Sequence, residues 1–170
     1  MLTIFNRLKP FFEDCYRRIN VREYARIINV SPPTASKILK EFNEKGLLKR
    51  EDDRIYINYY ANKESELFID LSRIYWKIKL KESGLLDFLE EELLSPVIIL
   101  FGSLSKAEVN AGSDIDLAVF SPSKKEIFPE KYEKILKRKI QLFVFDKIES
   151  IKNKSLKKNI LNGYKLRGQF

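Results

Sequence analysis

Two aspartates one residue apart, Asp114 and Asp116, open the apolar run DIDLAVF. On a strand, side chains at i and i+2 share a face, with Cα atoms roughly 7 Å apart. Carboxylates so placed can share a hard cation that prefers oxygen, Mg²⁺ above all. Ile115 between them points the other way, toward a core. Upstream, a second apolar run, PVIILFGS, ends in Gly102 and Ser103, with ten residues between Ser103 and Asp114. Gly102 permits close backbone approach, and Ser103 can open a short helix whose N–H groups attract phosphate. Brought together, these parts could hold a metal-bound triphosphate while a hydroxyl attacks its α-phosphorus. Ser105 and Lys106 are further candidates for a phosphate.

Other chemistries are excluded by composition. Histidine is absent and Cys15 is the single cysteine, so a Ser-His-Asp triad, a Cys/His zinc site and an internal disulfide are ruled out. Any enzyme built from these 170 residues works with carboxylates, hydroxyls, amines and a hard metal ion. The opening MLTIFNRLKPFFED lacks the pattern of a signal peptide, and no apolar run has the length of a membrane span. These features predict a cytoplasmic protein without a membrane segment. The net charge is +8, which suits a polyanionic partner; residues 1–60 hold 12 Lys/Arg against 8 Asp/Glu, and residues 96–170 hold 15 against 8.

The elements that must position the aspartates can be read from periodicity. The acidic segment GLLDFLEEELL predicts a helix ahead of the first apolar strand. A charged helix over roughly Glu130–Arg138 follows the second strand, and KIQLFVFD is a third. The tail predicts one more helix, about Ile148–Leu161, before NGYKLRG. Continuous apolarity in the first strand argues for burial on both faces.

The N-terminal third has a different pattern. Leu2, Phe5, Leu8 and Phe12 recur at helical spacing, as do Val21, Tyr24, Ala25 and Ile28. Ser31 is a good N-cap and Pro32 fits the first helical position of a helix that buries Ala35, Ile38, Leu39 and Phe42 and stops near Gly46. Two β-like runs follow, Leu47–Arg50 and Arg54–Tyr59, with Glu51, Asp52 and Asp53 as the expected hairpin tip. Between the two halves, Leu67, Leu71, Ile74 and Ile78 repeat at spacings of four, three and four. This seam suits either a helix that pairs two copies in a homodimer or a connecting helix packed within one chain.

Helix, helix, short turn, helix and hairpin, with NVSPPTASKILKEFNEKGLLKRE at the turn, resembles a winged helix-turn-helix. The resemblance implies DNA as a partner, with Thr34, Ser36, Lys37 and Lys40 facing the major groove and Arg50 and Arg54 flanking the wing. The alternative is a winged helix used for protein contacts, which the acidic hairpin tip and the Glu41 and Glu44 side chains favour. The C-terminal half, Gly-Ser closing a strand and Asp-Ile-Asp beginning another, resembles the minimal nucleotidyltransferases of the DNA polymerase β-like superfamily, and the fusion resembles an archaeal group.

That resemblance implies an α+β chain: a winged helix-turn-helix over 1–60, a connecting helix over 61–83, and a small α/β nucleotidyltransferase domain with a mixed sheet over 84–170. It implies transfer of a nucleoside monophosphate from an NTP, ATP first among them. Asp114 and Asp116 would be catalytic and bind Mg²⁺ or Mn²⁺, and Gly102 and Ser103 would bind phosphate. Some relatives modify a HEPN-class partner protein, as antitoxins do. Two departures from the family stand out. Ala107 takes the place of a usual glycine, a mild change if its backbone angle is ordinary. Gln141 takes the place of a third carboxylate, and an amide supplies neither negative charge nor a base. The rival reading is a DNA-binding regulator whose second domain has lost catalysis and senses nucleotide or contacts protein. A third is an assembly protein with neither activity.

Overall fold

The structure, a computed structural model, describes residues 3–53, 55–123 and 125–170. Its contacts divide the chain into two compact units. One runs to Ser72 and includes Ala107–Ala111; the other comprises Arg73–Lys106 and Gly112–Phe170. No described helix is long and apolar enough to cross a membrane.

The first unit begins with α1 (Thr3–Glu13), β1 (Ile19–Asn20), α2 (Val21–Ile28) and α3 (Pro32–Glu44). Asn20 caps α2 by accepting the Glu23 N–H at 3.0 Å, and Ser31 caps α3 by accepting the Thr34 N–H at 3.4 Å. Asn29 closes α2 in the left-handed region that its short amide side chain tolerates. As the apolar spacing requires, α3 buries Ala35, Ile38, Leu39 and Phe42. The strands β2 (Leu48–Asp52) and β3 (Ile57–Ala61) form an antiparallel sheet with β1, in the order β1-β3-β2. The hairpin therefore sits later than its charges suggest. Glu51 and Asp52 are paired strand residues opposite Asn58 and Ile57, not the tip. β2 is an edge strand, and an edge admits outward charges that a central strand would not. Phe12 packs on Phe68, their rings 5.1 Å apart.

The helix α4 (Glu66–Glu82) buries Phe68, Tyr75, Trp76 and Leu80. The expected seam is displaced: Leu67 and Ile74 are exposed, and Leu71 and Ile78 are half-buried. Two stripes on this helix share the same three-and-four spacing, and the one carrying the aromatic side chains takes the interior because it removes more apolar area from water.

The second unit continues with α5 (Leu85–Glu92), β4 (Val97–Phe101), α6 (Gly102–Ser105), β5 (Ile115–Phe120), α7 (Glu130–Leu136), β6 (Ile140–Phe145), α8 (Lys154–Leu161) and β7 (Tyr164–Arg167). The sheet order is β6-β5-β4-β7, with β5 and β6 parallel and the other pairs antiparallel, so the sheet is mixed. All five residues of β4 are buried, as its unbroken apolarity requires. One face packs Val97, Ile99, Phe101, Ala118 and Phe120 with Ile151 and Ile160. The tail helix is shorter than expected: Ile148–Ser150 is a single 3₁₀ turn, and α8 starts afresh after the cap Asn153. The NGYKLRG segment supplies β7, an edge strand on β4. Gly163 makes this approach possible, because a Cβ there would stand 2.6 Å from Ile99 Cγ2 and 2.7 Å from the Leu100 carbonyl oxygen.

Candidate active site

Asp114 lies just before β5 and Asp116 is its second residue, paired with Phe101 of β4 on one side and Gln141 of β6 on the other. Ile115 between them is fully buried, and its N–H donates to the Lys139 carbonyl at 2.8 Å. Alternation along β5 puts Asp116 on the face of Ala118 and Phe120, at the end of the core described above. The Asp116 carboxyl is held above the ordinary carboxylate range, first by burial and then by the neighbouring charge of Asp114.

Gly102 stands against this carboxylate. Its φ is +68°, and a Cβ built there would collide with Asp116 Oδ2. Ser103 follows, partly buried. The helix these residues open, α6, has only four residues. One turn aligns too few peptide dipoles for the helix-end field expected from the sequence. Ser105 is buried and turned inward: its hydroxyl donates to the Gly102 carbonyl at 2.9 Å, and its carbonyl accepts from Arg73 Nε at 2.8 Å. It therefore fixes the turn and does not face a phosphate. Lys106 is exposed, with Nζ 3.4 Å from Asn159 Oδ1. Ala107 has a φ of +54°, so its backbone angle is not ordinary. An alanine in the left-handed region carries strain of about 1 kcal/mol that glycine would avoid.

Three side chains that periodicity alone did not single out complete this end of the sheet. Gln141 Nε2 donates to Asp114 Oδ2 at 2.7 Å. Arg138 Nη1 donates to the carbonyl of Ser113, immediately before Asp114, at 2.6 Å. Arg73 holds Ser105 as described. The Lys137–Lys139 cluster ahead of β6 was a visible signal for Arg138, whereas nothing local marks Arg73. Among the described residues, no group of three or more His, Cys, Asp or Glu side chains is placed to hold a metal ion.

On the first unit, Lys37 and Lys40 project from α3 to solvent, and Ser36 is half-buried. The Thr34 hydroxyl lies 2.9 Å from the Ser31 hydroxyl and so belongs to the helix cap. Arg50 is exposed but grips Asp52, with Nε 3.0 Å from Oδ1 and Nη2 3.1 Å from Oδ2. Arg54 lies outside the described residues. A cleft lined by Arg22, Arg26, Asn29 and Pro32 lies where α2 hands over to α3. The two arginines, at i and i+4 on the polar face of α2, were legible as a basic pair beside the turn but were not among the expected contacts.

Among known proteins, no curated protein and no solved structure matches this chain. The model of the nucleotidyltransferase domain family matches residues 82–166, half of the chain. The match takes in β4, the Gly102–Ser103 turn, both aspartates and β6. A mixed sheet with two aspartates at the head of one strand and a glycine closed against them is thus the work of a family sequence pattern, and the chain belongs to the nucleotidyltransferase domain family.

Proposed function

We propose that the second unit binds a nucleoside triphosphate with Mg²⁺ and transfers its nucleoside monophosphate to a hydroxyl acceptor: the hydroxyl oxygen bonds to the α-phosphorus, the bond to the β-phosphate breaks, pyrophosphate leaves and the hydroxyl proton passes to solvent. The observation that carries this reading is the closure of Gly102 against the Asp116 carboxylate, beside Asp114, inside the family match. Asp114 and Asp116 would hold the cation. They are hard oxygen donors on one face of a strand and fit Mg²⁺, which takes oxygen ligands and usually keeps several waters. Bound there, Mg²⁺ supplies charge neutralisation on the phosphoryl oxygens. Gly102 and Ser103 would offer backbone N–H groups to the triphosphate, with the Ser103 hydroxyl a further donor. Arg138 and Ser105 act behind them, fixing the carbonyls of Ser113 and Gly102. ATP is the first nucleotide to try. A protein hydroxyl, on a HEPN-class partner, is one acceptor that fits this chemistry.

The first unit, on this reading, is a winged helix that places α3 in the DNA major groove. Lys37 and Lys40 would meet phosphates, and Arg22 and Arg26 would extend that basic surface.

Thermal unfolding with ATP, GTP, CTP or UTP, in Mg²⁺ and in EDTA, tests the nucleotide site. A ligand that binds only the folded state raises the melting temperature. The expected result is a Mg²⁺-dependent rise that is lost in an Asp114→Asn/Asp116→Asn double variant. No rise with any nucleotide overturns the reading.

A second reading rests on the amide of Gln141, which stands opposite Asp116 where an enzyme of this kind would use a third carboxylate. Here the domain senses nucleotide and the chain regulates DNA without transfer. It predicts DNA affinity that falls steeply with salt and shifts with NTP, and no labelled nucleotide on any acceptor.

A further inference from the structure

We infer that this site takes a single divalent cation with its nucleotide, because Gln141 stands where a second ion would need a further carboxylate and its amide is turned to Asp114. The inference rests on the nucleotide-binding reading above and concerns how many ions accompany the nucleotide.

Four carboxylate oxygens, those of Asp114 and Asp116, are the acidic ligands at this end of the sheet. One is engaged: Asp114 Oδ2 accepts the Gln141 amide at 2.7 Å. A carboxylate can only accept a hydrogen bond, so Gln141 must present its NH₂ end to the pair and not its carbonyl oxygen. The parallel register fixes this approach, because Gln141 pairs with Asp116 and projects from the same face of the sheet. The amide therefore turns the positive end of its dipole toward the carboxylates, on the β6 side. Arg138, lying over the Trp76 ring, holds the Ser113 carbonyl behind the pair. A cation between Asp114 and Asp116 still finds oxygen ligands in the remaining lone pairs, in water and in phosphate. A second cation on the β6 side would meet an amide NH₂. No third acidic side chain among the described residues joins the pair to repay it. Two hard dications close together need bridging and terminal anionic oxygens, and this donor set supplies them for one.

In this arrangement Gln141 is a positioning residue. It orients Asp114 and supplies no anionic ligand for a second ion. Its side chain is exposed and outside the core, so substitutions there leave the fold in place.

The test is equilibrium dialysis of the full chain with Mn²⁺ and α,β-methylene-ATP, counting Mn²⁺ per bound nucleotide. Melting temperatures of all variants serve as the control for folding. The wild type is expected to bind one Mn²⁺ per nucleotide, lost in the Asp114→Asn/Asp116→Asn variant. Gln141→Glu is expected to bind two. Gln141→Ala is expected to keep one, held about three- to tenfold more weakly because Asp114 loses its hydrogen bond. Two Mn²⁺ in the wild type, or one in Gln141→Glu, would overturn the inference while leaving nucleotide binding intact. No nucleotide bound by the wild type at all would overturn both.

Discussion

The carboxylate of Asp116 fills the space that any side chain at residue 102 would need. The glycine is required twice over, by this contact and by its φ of +68°. Gly102→Ala should therefore lower stability by about 1–2 kcal/mol from backbone strain alone. It should also push the Asp116 carboxylate out of line and reduce Mn²⁺-nucleotide affinity at least about tenfold. Denaturant unfolding and dialysis measure the two effects separately. A variant that unfolds earlier but binds nucleotide normally would show that the contact is only structural.

Asp116 carries a stability cost that depends on pH. Its carboxyl is raised by burial and by Asp114, so its ionised form is less favourable folded than unfolded. This cost is fully present above the raised pKa, shrinks as pH falls through it, and vanishes below the ordinary value of 3.8, where both states are protonated. Asp116→Asn should then raise the nucleotide-free melting temperature at pH 7–8, with the gain fading toward pH 3–4. Asp114→Asn should gain less, because it also loses a charged acceptor for Gln141. Melting scans of both variants across pH decide the matter, and an advantage for Asp116→Asn that grows on acidification would contradict the argument.

Ala107 offers a stabilising change. Its side chain is buried and its φ is +54°, a conformation that glycine adopts without strain. Ala107→Gly should raise stability by up to about 1 kcal/mol, the strain relief outweighing the added freedom of the unfolded chain. Urea titration reads this directly from the midpoint at constant slope.

Arg138 should matter to ligand binding through the backbone it holds. Removing a charged donor from the Ser113 carbonyl costs about 1.5–3 kcal/mol at most, less where water can replace it. Arg138→Ala should weaken nucleotide binding severalfold through the placement of Asp114, and Arg138→Lys should restore part of it. Isothermal titration compares the three proteins.

If the first unit binds DNA, Lys37→Ala and Lys40→Ala should each reduce the slope of log K against log salt by about one. Arg50→Ala should have the smaller effect, because its guanidinium is already engaged by Asp52. Fluorescence anisotropy at several salt concentrations measures the slopes; equal losses at all three positions would place Arg50 on the phosphates after all.

What was legible in the sequence was whatever a local rule governs. The period of two along DIDLAVF put Asp114 and Asp116 on one face and buried Ile115. The unbroken apolar run ending in Gly102 announced a buried strand, and Ser31–Pro32 announced the start of α3. What escaped depends on partners far along the chain or on angles that residue type does not encode. Gln141 meets Asp114 only because β6 pairs in parallel with β5 at one register. Nothing about an alanine reveals that its φ is positive, as at Ala107. The buried face of α4 could not be chosen from spacing, since two stripes shared it, and the size of Tyr75 and Trp76 decided.

The ten residues between Gly102–Ser103 and Asp114 do not all stay with the sheet they connect. Ala107–Ala111 groups with the first unit, where the Val109 carbonyl accepts the Cys15 N–H at 2.7 Å and Val109 is fully buried. The border between the units is therefore crossed three times by the backbone, and no single scissor cut separates them. A fragment beginning between Arg73 and Glu82 would carry all the residues matched by the family yet strand Ala107 and Val109 in water, so the nucleotidyltransferase portion should be expressed as the whole chain or with that loop redesigned.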